Sequence, residues 1–132
     1  MRLLDKDVNL RELSPLTLAF VGDGVFDLLV RERLVCDANR PVGALTSEKI
    51  KIVCCKAQAD FMGELLPILT EEESDIYRRG KNAHALTFPK NAKRSDYHKA
   101  TGLEALFGYL YLKGDTERMK ELFEKLNFEE MG

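Results

Sequence analysis

Two apolar helical runs constrain this chain more than any other feature, because each is interrupted by glycine and each carries one acid. The first reads Phe20-Val21-Gly22-Asp23-Gly24-Val25-Phe26. The second, eighty-one residues on by its acid, reads Thr101-Gly102-Leu103-Glu104-Ala105-Leu106-Phe107-Gly108-Tyr109. A carboxylate withdrawn from water without a partner costs several kcal/mol, and each glycine inside a helix costs about 1 kcal/mol relative to alanine. A chain that carries both costs twice places its acids for chemistry and its glycines for close approach. Asp23 and Glu104 are therefore read as buried acids that hold a divalent cation. Gly22, Gly24, Gly102 and Gly108 would let helices and a bulky substrate draw near. Magnesium suits such a site, since it takes oxygen ligands and often only one or two protein carboxylates; manganese is a substitute.

The periodicity is helical nearly throughout, and no run alternates with the period of two expected of a half-buried strand. Ser14-Pro15 opens a helix, with serine as cap and proline at the first helical position. That helix runs to about Leu34 and is broken by Asp37-Ala38-Asn39-Arg40-Pro41. It is apolar nearly all round, which predicts a central position. Further helices are predicted over about Val42 to Cys55 and about Lys56 to Leu69, with Pro67 marking a kink or boundary. Thr70 and Glu73 fit a capping box for a short helix to about Arg79. Residues 80–95, with Gly80, Asn82, Pro89 and Asn91, read as an exposed loop. A long apolar helix follows from about Asp96 to Leu112. Gly114-Asp115 ends it, and Asp115 caps a last amphipathic helix from Thr116 to Leu126. The expected architecture is a compact all-α bundle of about six or seven helices.

A chain of 132 residues, 45% hydrophobic, is one domain with a real core. It has no 18-residue apolar stretch and so no membrane span, and its start lacks the long apolar segment of a secretory signal; a cytoplasmic protein is expected. Cys36, Cys54 and Cys55 have no metal-ligand spacing and are expected to be small reduced core residues. The net charge of -2 argues against nucleic acid, but its distribution does not. Between Arg78 and Lys99 seven Lys/Arg face a single acid, Asp96, which leaves the rest of the chain at -8. Arg78, Arg79, Lys81, Asn82, Lys90, Asn91, Lys93 and Arg94 supply the mixture of cations and amides that contacts phosphate backbones. His84 and His98 have no serine or cysteine partner at a suggestive spacing. Asp27 lies one turn beyond Asp23 and one turn before Arg31, so it either pairs with Arg31 or serves the site. The acidic run Glu71-Glu72-Glu73-Ser74-Asp75 could be taken for a metal cluster; the capping box and the preference of acids for a helix N-terminus explain it more simply.

Leu18-Ala19-Phe20-Val21-Gly22-Asp23-Gly24-Val25 resembles the signature helix of the ribonuclease III catalytic domain, and Gly102 to Leu110 resembles that family's second acidic helix. Between them, Arg79-Gly80-Lys81-Asn82-Ala83 and Pro89-Lys90-Asn91 resemble a narrower branch, Mini-ribonuclease III. The resemblance spans about residues 13 to 115. The full family carries two more acids where this chain has Leu16 and Ala19, and an aspartate where it has Thr101; the branch is similarly reduced. The resemblance implies a ribonuclease III-like catalytic-domain bundle over residues 1–132, a single domain with no double-stranded-RNA-binding domain behind it. It implies a homodimer with an RNA-binding valley between subunits. It implies magnesium-dependent hydrolysis of double-stranded RNA, leaving 5′-phosphate and 3′-hydroxyl ends. Asp23 and Glu104 would be catalytic acids and metal ligands, with Asp27 and Thr101 as candidates just behind them, and the basic residues would follow the phosphate backbone. The implied role is maturation of 23S ribosomal RNA. Two other classes remain: a non-catalytic RNA-binding or ribosome-associated dimer of the same fold, consistent with Leu16, Ala19 and Thr101, and a helical nucleotide pyrophosphatase built on the Glu71 to Asp75 run.

Overall fold

A computed structural model describes residues 1–83, 93–126 and 128. His84, Pro89, Lys90 and Asn91 lie outside the described residues. Six α-helices follow in order: α1 (Pro15–Asp37), α2 (Val42–Val53), α3 (Cys55–Leu65), α4 (Glu71–Lys81), α5 (Arg94–Lys113) and α6 (Thr116–Glu124). Single 3-10 turns at Leu10–Glu12 and Leu66–Ile68 precede α1 and follow α3. There is no strand among the described residues, so the expected all-α bundle is the one found.

The local caps work as their chemistry predicts. The Ser14 hydroxyl accepts from the Thr17 N–H at 3.1 Å. The Thr70 hydroxyl accepts from the Glu73 N–H at 3.1 Å while the Glu73 carboxylate accepts from the Thr70 N–H at 2.9 Å. Asp115 caps α6 through the Arg118 N–H at 3.2 Å. Several ends differ from expectation. Helix α1 continues to Asp37 instead of ending near Leu34, α4 reaches Lys81, and α5 starts at Arg94. The break between α2 and α3 falls at Cys54, whose extended backbone turns the chain at once into the next helix. Pro67 marks a boundary, lying in the 3-10 turn after α3.

Helix α5 is the axis of the bundle, with nine buried residues along its length. Helix α1 is less central than its composition predicts. It buries a stripe of Leu18, Ala19, Gly22, Phe26, Val30 and Leu34, while its other face leaves Phe20 81% exposed and Leu28 and Leu16 exposed beside it. With Gly24, these residues recur every four positions, so α1 has a second apolar face that the described part of the chain does not cover. The cysteines also depart from expectation. All three are free, but Cys36 and Cys54 are exposed and Cys55 is half-buried, because they fall on the outer end of α1 and at the α2–α3 corner, not on inward-facing positions.

Two glycines make α1 and α5 touch. A Cβ on Gly22 would overlap the Glu104 carbonyl oxygen, and one on Gly108 would overlap the Leu18 carbonyl oxygen. Gly102 makes room for the Tyr77 ring of α4, whereas nothing lies within 4 Å of a Cβ placed on Gly24. Below the crossing, Phe26 meets Phe107 edge to face at 5.3 Å and Phe123 at 5.8 Å between ring centroids, the arrangement that aromatic quadrupoles favour. Phe26 and Phe107 each lie three residues beyond Asp23 and Glu104, so the rings that lock the two helices together also fix the register of the two acids.

Candidate active site

The α1–α5 crossing brings Asp23 and Glu104 together. With Gly22 seated against the Glu104 backbone, the side chain of the next residue, Asp23, meets that of Glu104, and a hydrogen bond joins the two carboxyl groups. Burial, followed by the neighbouring Asp23 charge and that hydrogen bond, pushes Glu104 up to about 8, while a hydrogen bond from Gln58 acts in the opposite direction. Glu104 is half-buried and Asp23 is exposed. The expectation of two buried acids thus holds only for the inner one; Asp23 stands at the mouth because Gly24 and the bare face of α1 leave that side open.

Two adjoining carboxyls with no balancing positive charge beside them form a donor set suited to a hard divalent cation. Among the described residues no group of three or more His, Cys, Asp or Glu converges in this way, so any cation here rests on two protein carboxylates.

Helix α3 closes the site from behind. Gln58, only 3% exposed, donates through Nε2 to the Val53 carbonyl at 2.9 Å and, in a longer contact of 3.5 Å, to Glu104 Oε2. Burial and then the Glu104 charge push the Cys55 thiol up. Sequence reasoning passed over Gln58 and read Cys55 only as a small reduced core residue. The one available signal was an amide, Gln58, between two alanines on a face that continues into Met62 and Leu65.

Asp27 and Thr101 sit close by in sequence but are engaged elsewhere. Asp27 accepts from Arg31 Nε at 2.6 Å and from Lys49 Nζ at 3.1 Å. Burial raises its carboxyl, and those two cations outweigh burial and hold it below the usual carboxylate range. The buried Thr101 hydroxyl donates to the Tyr97 carbonyl of its own helix at 3.0 Å. The acidic run at the start of α4 is likewise engaged. Glu73 is gripped by Arg118 through Nε and Nη2, both at 2.8 Å, and Glu72 accepts from Tyr109 and from Lys113.

The basic residues gather where α4 ends and α5 begins. Arg78, Arg79 and Lys81 occupy the last turn of α4, Asn82 caps it, and Lys93 caps α5 ahead of Arg94. Lys81, Asn82, Ser95, His98 and Lys99 line one open recess. Arg78 also pairs with Asp75, and cations at a helix C-terminus are favourable in any protein.

Comparison with known proteins places this geometry in context. The ribonuclease III domain profile matches residues 16–115. A Mini-ribonuclease 3 of Thermoanaerobacter sp. (strain X514) is 47% identical over 92% of this chain and 85% of its own length. One from Symbiobacterium thermophilum is 44% identical over 85% and 86%, and one from Staphylococcus aureus is 37% identical over 92% of both chains. Among solved structures, a crystal structure of a Fusobacterium nucleatum protein matches with a TM-score of 0.81 at 30% identity, covering 89% of this chain and 96% of that one.

Proposed function

The chain belongs to the ribonuclease III family, in its Mini-ribonuclease III branch, and is by that membership an endoribonuclease; we propose that it cuts double-stranded RNA at a divalent-cation site formed by Asp23 and Glu104. The observation that supports this assignment is the carboxyl pair at the α1–α5 crossing, hydrogen-bonded together with Glu104 pushed up to about 8. Asp27, Glu72 and Glu73, by contrast, each have a cationic partner.

The two acids divide the work by position. Glu104 is held from behind by α3 and the α1 backbone, so it fixes where the cation sits. Asp23 stands at the open edge, where the substrate phosphate arrives. Magnesium, or manganese in its place, would supply Lewis-acid activation of water and neutralise the charge that builds on the phosphorus oxygens. Attack of water on phosphorus with cleavage of the bond to the 3′ oxygen, which leaves and takes up a proton, would give 5′-phosphate and 3′-hydroxyl ends. Lys81, Asn82, Lys93, Arg94 and their neighbours Arg78 and Arg79 would follow the backbone of an A-form duplex, which proteins recognise mainly through shape, phosphates and 2′-hydroxyls. The expected contributions of Lys90 and Asn91 belong to the segment outside the described residues. Maturation of 23S ribosomal RNA is the cellular role we assign.

The active form is a homodimer. Its basis is the second apolar face of α1, where Leu16, Phe20 and Leu28 stand out beside the open Gly24. A second copy related by a twofold axis would cover that face and set two basic patches on one surface. Phe20→Asp should shift sedimentation from dimer to monomer.

The deciding experiment incubates purified protein with a long, perfectly paired RNA, with magnesium or with chelator, beside Asp23→Asn. Cutting that requires magnesium and is lost in the variant is the expected result. Binding of the RNA without cutting by folded wild type would assign the chain to a non-catalytic RNA-binding dimer.

A further inference from the structure

We infer that Gln58 is a positioning residue of the acid pair: its amide ties Glu104 to the α2–α3 corner and so keeps that carboxylate turned toward Asp23. This inference rests on the reading of Asp23 and Glu104 as cation ligands.

Gln58, Glu73 and Thr101 are the polar or charged residues buried among those described, and Gln58 is the most buried of them at 3% exposure. An aliphatic side chain of the same size would fill that space without needing partners. Its carbonyl oxygen Oε1 is buried and meets no donor among the described residues. A residue retained only for packing would not strand an acceptor, since an unmade buried hydrogen bond is a net loss of stability. What the side chain does make is a double donation. One Nε2 contact goes to the Val53 carbonyl at 2.9 Å, at the last residue of α2, where helical carbonyls lack an intrahelical partner. The other reaches Glu104 Oε2 at 3.5 Å.

This orientation of the amide is the favoured one. Turned over, Oε1 would face the Val53 carbonyl, oxygen against oxygen. The Val53 carbonyl therefore fixes which end of Gln58 points at Glu104. With no third His, Cys, Asp or Glu joining the pair among the described residues, no additional ligand holds Glu104 in place, and Gln58 is the neutral side chain that does. A cation bound by two carboxylates depends on the orientation of each, so loss of this contact should weaken cation binding before RNA is involved.

The test replaces Gln58 with leucine, of similar size and without polar atoms, and with methionine as a second packing choice. Thermal midpoint, Mn2+ affinity measured by electron paramagnetic resonance without RNA, and cleavage across a magnesium titration are read on each. We expect unchanged or raised thermal midpoint, Mn2+ affinity lower by about tenfold or more, and a cleavage loss partly recovered at high magnesium, in line with the effect of residues that orient metal ligands. Wild-type Mn2+ affinity and cleavage in both variants would overturn the inference. So would a lowered midpoint in both with Mn2+ affinity unchanged in the folded fraction, the mark of a packing role. Asp23→Asn measured alongside separates the two levels. If it too binds Mn2+ and cuts as wild type, the cation assignment itself falls; if it fails while the Gln58 variants behave as wild type, only the positioning role falls.

Discussion

Glu73 and Glu104 lie on adjacent helices of the same bundle, and both are withdrawn from water, yet the fold surrounds them differently. Glu73, 5% exposed, receives two nitrogens of Arg118 at 2.8 Å each and the Thr70 N–H at 2.9 Å. Arg118 first of all, outweighing burial, holds its carboxyl below the usual range. Glu104 receives one neutral amide and another carboxyl, and burial and Asp23 push it up to about 8. The first acid is complete within the chain; the second lacks a positive charge. That difference separates an acid that supports the fold from one proposed to take a cation, and it inverts what clustering in sequence suggests. The dense run Glu71 to Asp75 looks more like a metal site than two acids eighty-one positions apart.

The largest effect should come from removing either member of the incomplete pair. Asp23→Asn or Glu104→Gln should lower cleavage by about a thousandfold or more, equivalent to ~4 kcal/mol of transition-state stabilisation, while thermal stability holds in the first and holds or rises in the second, where a carboxyl disfavoured by burial is gone. Single-turnover cleavage and a melting curve on the same preparation measure both. Cutting at the wild-type rate by either variant would place the chemistry elsewhere.

The complete pair should respond in the opposite sense. Arg118→Met leaves Glu73 buried without its partner, which should cost about 3–5 kcal/mol in urea unfolding and leave cleavage per folded molecule unchanged. A loss under about 1 kcal/mol would mean that the clamp is no stronger than a surface ion pair, and the contrast between the two acids would lose its basis.

The sequence made one side of this comparison legible and hid the other. Caps are local, so Ser14, the Thr70–Glu73 box and Asp115 could be assigned from neighbouring residues. The glycines and acids of α1 and α5 were legible as local anomalies, and the touching backbones at Gly22 and Gly108 are their explanation. Partners far along the chain left no such trace. Arg118 reaches back 45 positions to Glu73, Lys49 reaches 22 to Asp27, and Gln58 reaches 46 to Glu104. The composition of α1 signalled burial all round, but helical hydrophobicity does not tell a core face from an apolar face that the described chain leaves exposed. For the same reason Asp23 looked buried and is exposed.

The two acids should also separate by pH. Glu104 titrates at about 8 in the fold against 4.5 for an ordinary glutamate, so between those values the folded protein holds a proton that the unfolded chain has released. Its contribution to stability therefore falls as pH rises from about 4.5 to about 8, by at most ~1.4 kcal/mol per pH unit and by less where the open Asp23 side admits solvent. Glu73, shifted downward, contributes stability above 4.5 that is lost as pH falls through its lowered folded value. Metal-free protein should thus be most stable in mildly acidic solution. Saturating magnesium, or Glu104→Gln, should flatten the alkaline decline, and Arg118→Met should flatten only the acid one. Urea midpoints across pH test this; an alkaline limb unmoved by both magnesium and Glu104→Gln would contradict the origin assigned to it.

Asp27 provides the finest test, because its position and its partners point in different directions. It lies one helical turn from Asp23, where a residue serving the acid pair could sit, but Arg31 and Lys49 occupy both of its oxygens at 2.6 and 3.1 Å. If the supply of positive charge sorts these acids, Asp27 belongs with Glu73. Asp27→Asn keeps the shape and one acceptor, and the pair is partly open to solvent, so the expected loss is under about 1 kcal/mol of stability and within about threefold in cleavage, less than a kcal/mol of barrier. A hundredfold fall in cleavage with stability intact would show that Asp27 acts on the site despite its cations. The Arg31–Asp27–Lys49 set would then be part of the catalytic apparatus, and proximity along α1, not satisfied charge, would be the property that distinguishes the working acids of this fold.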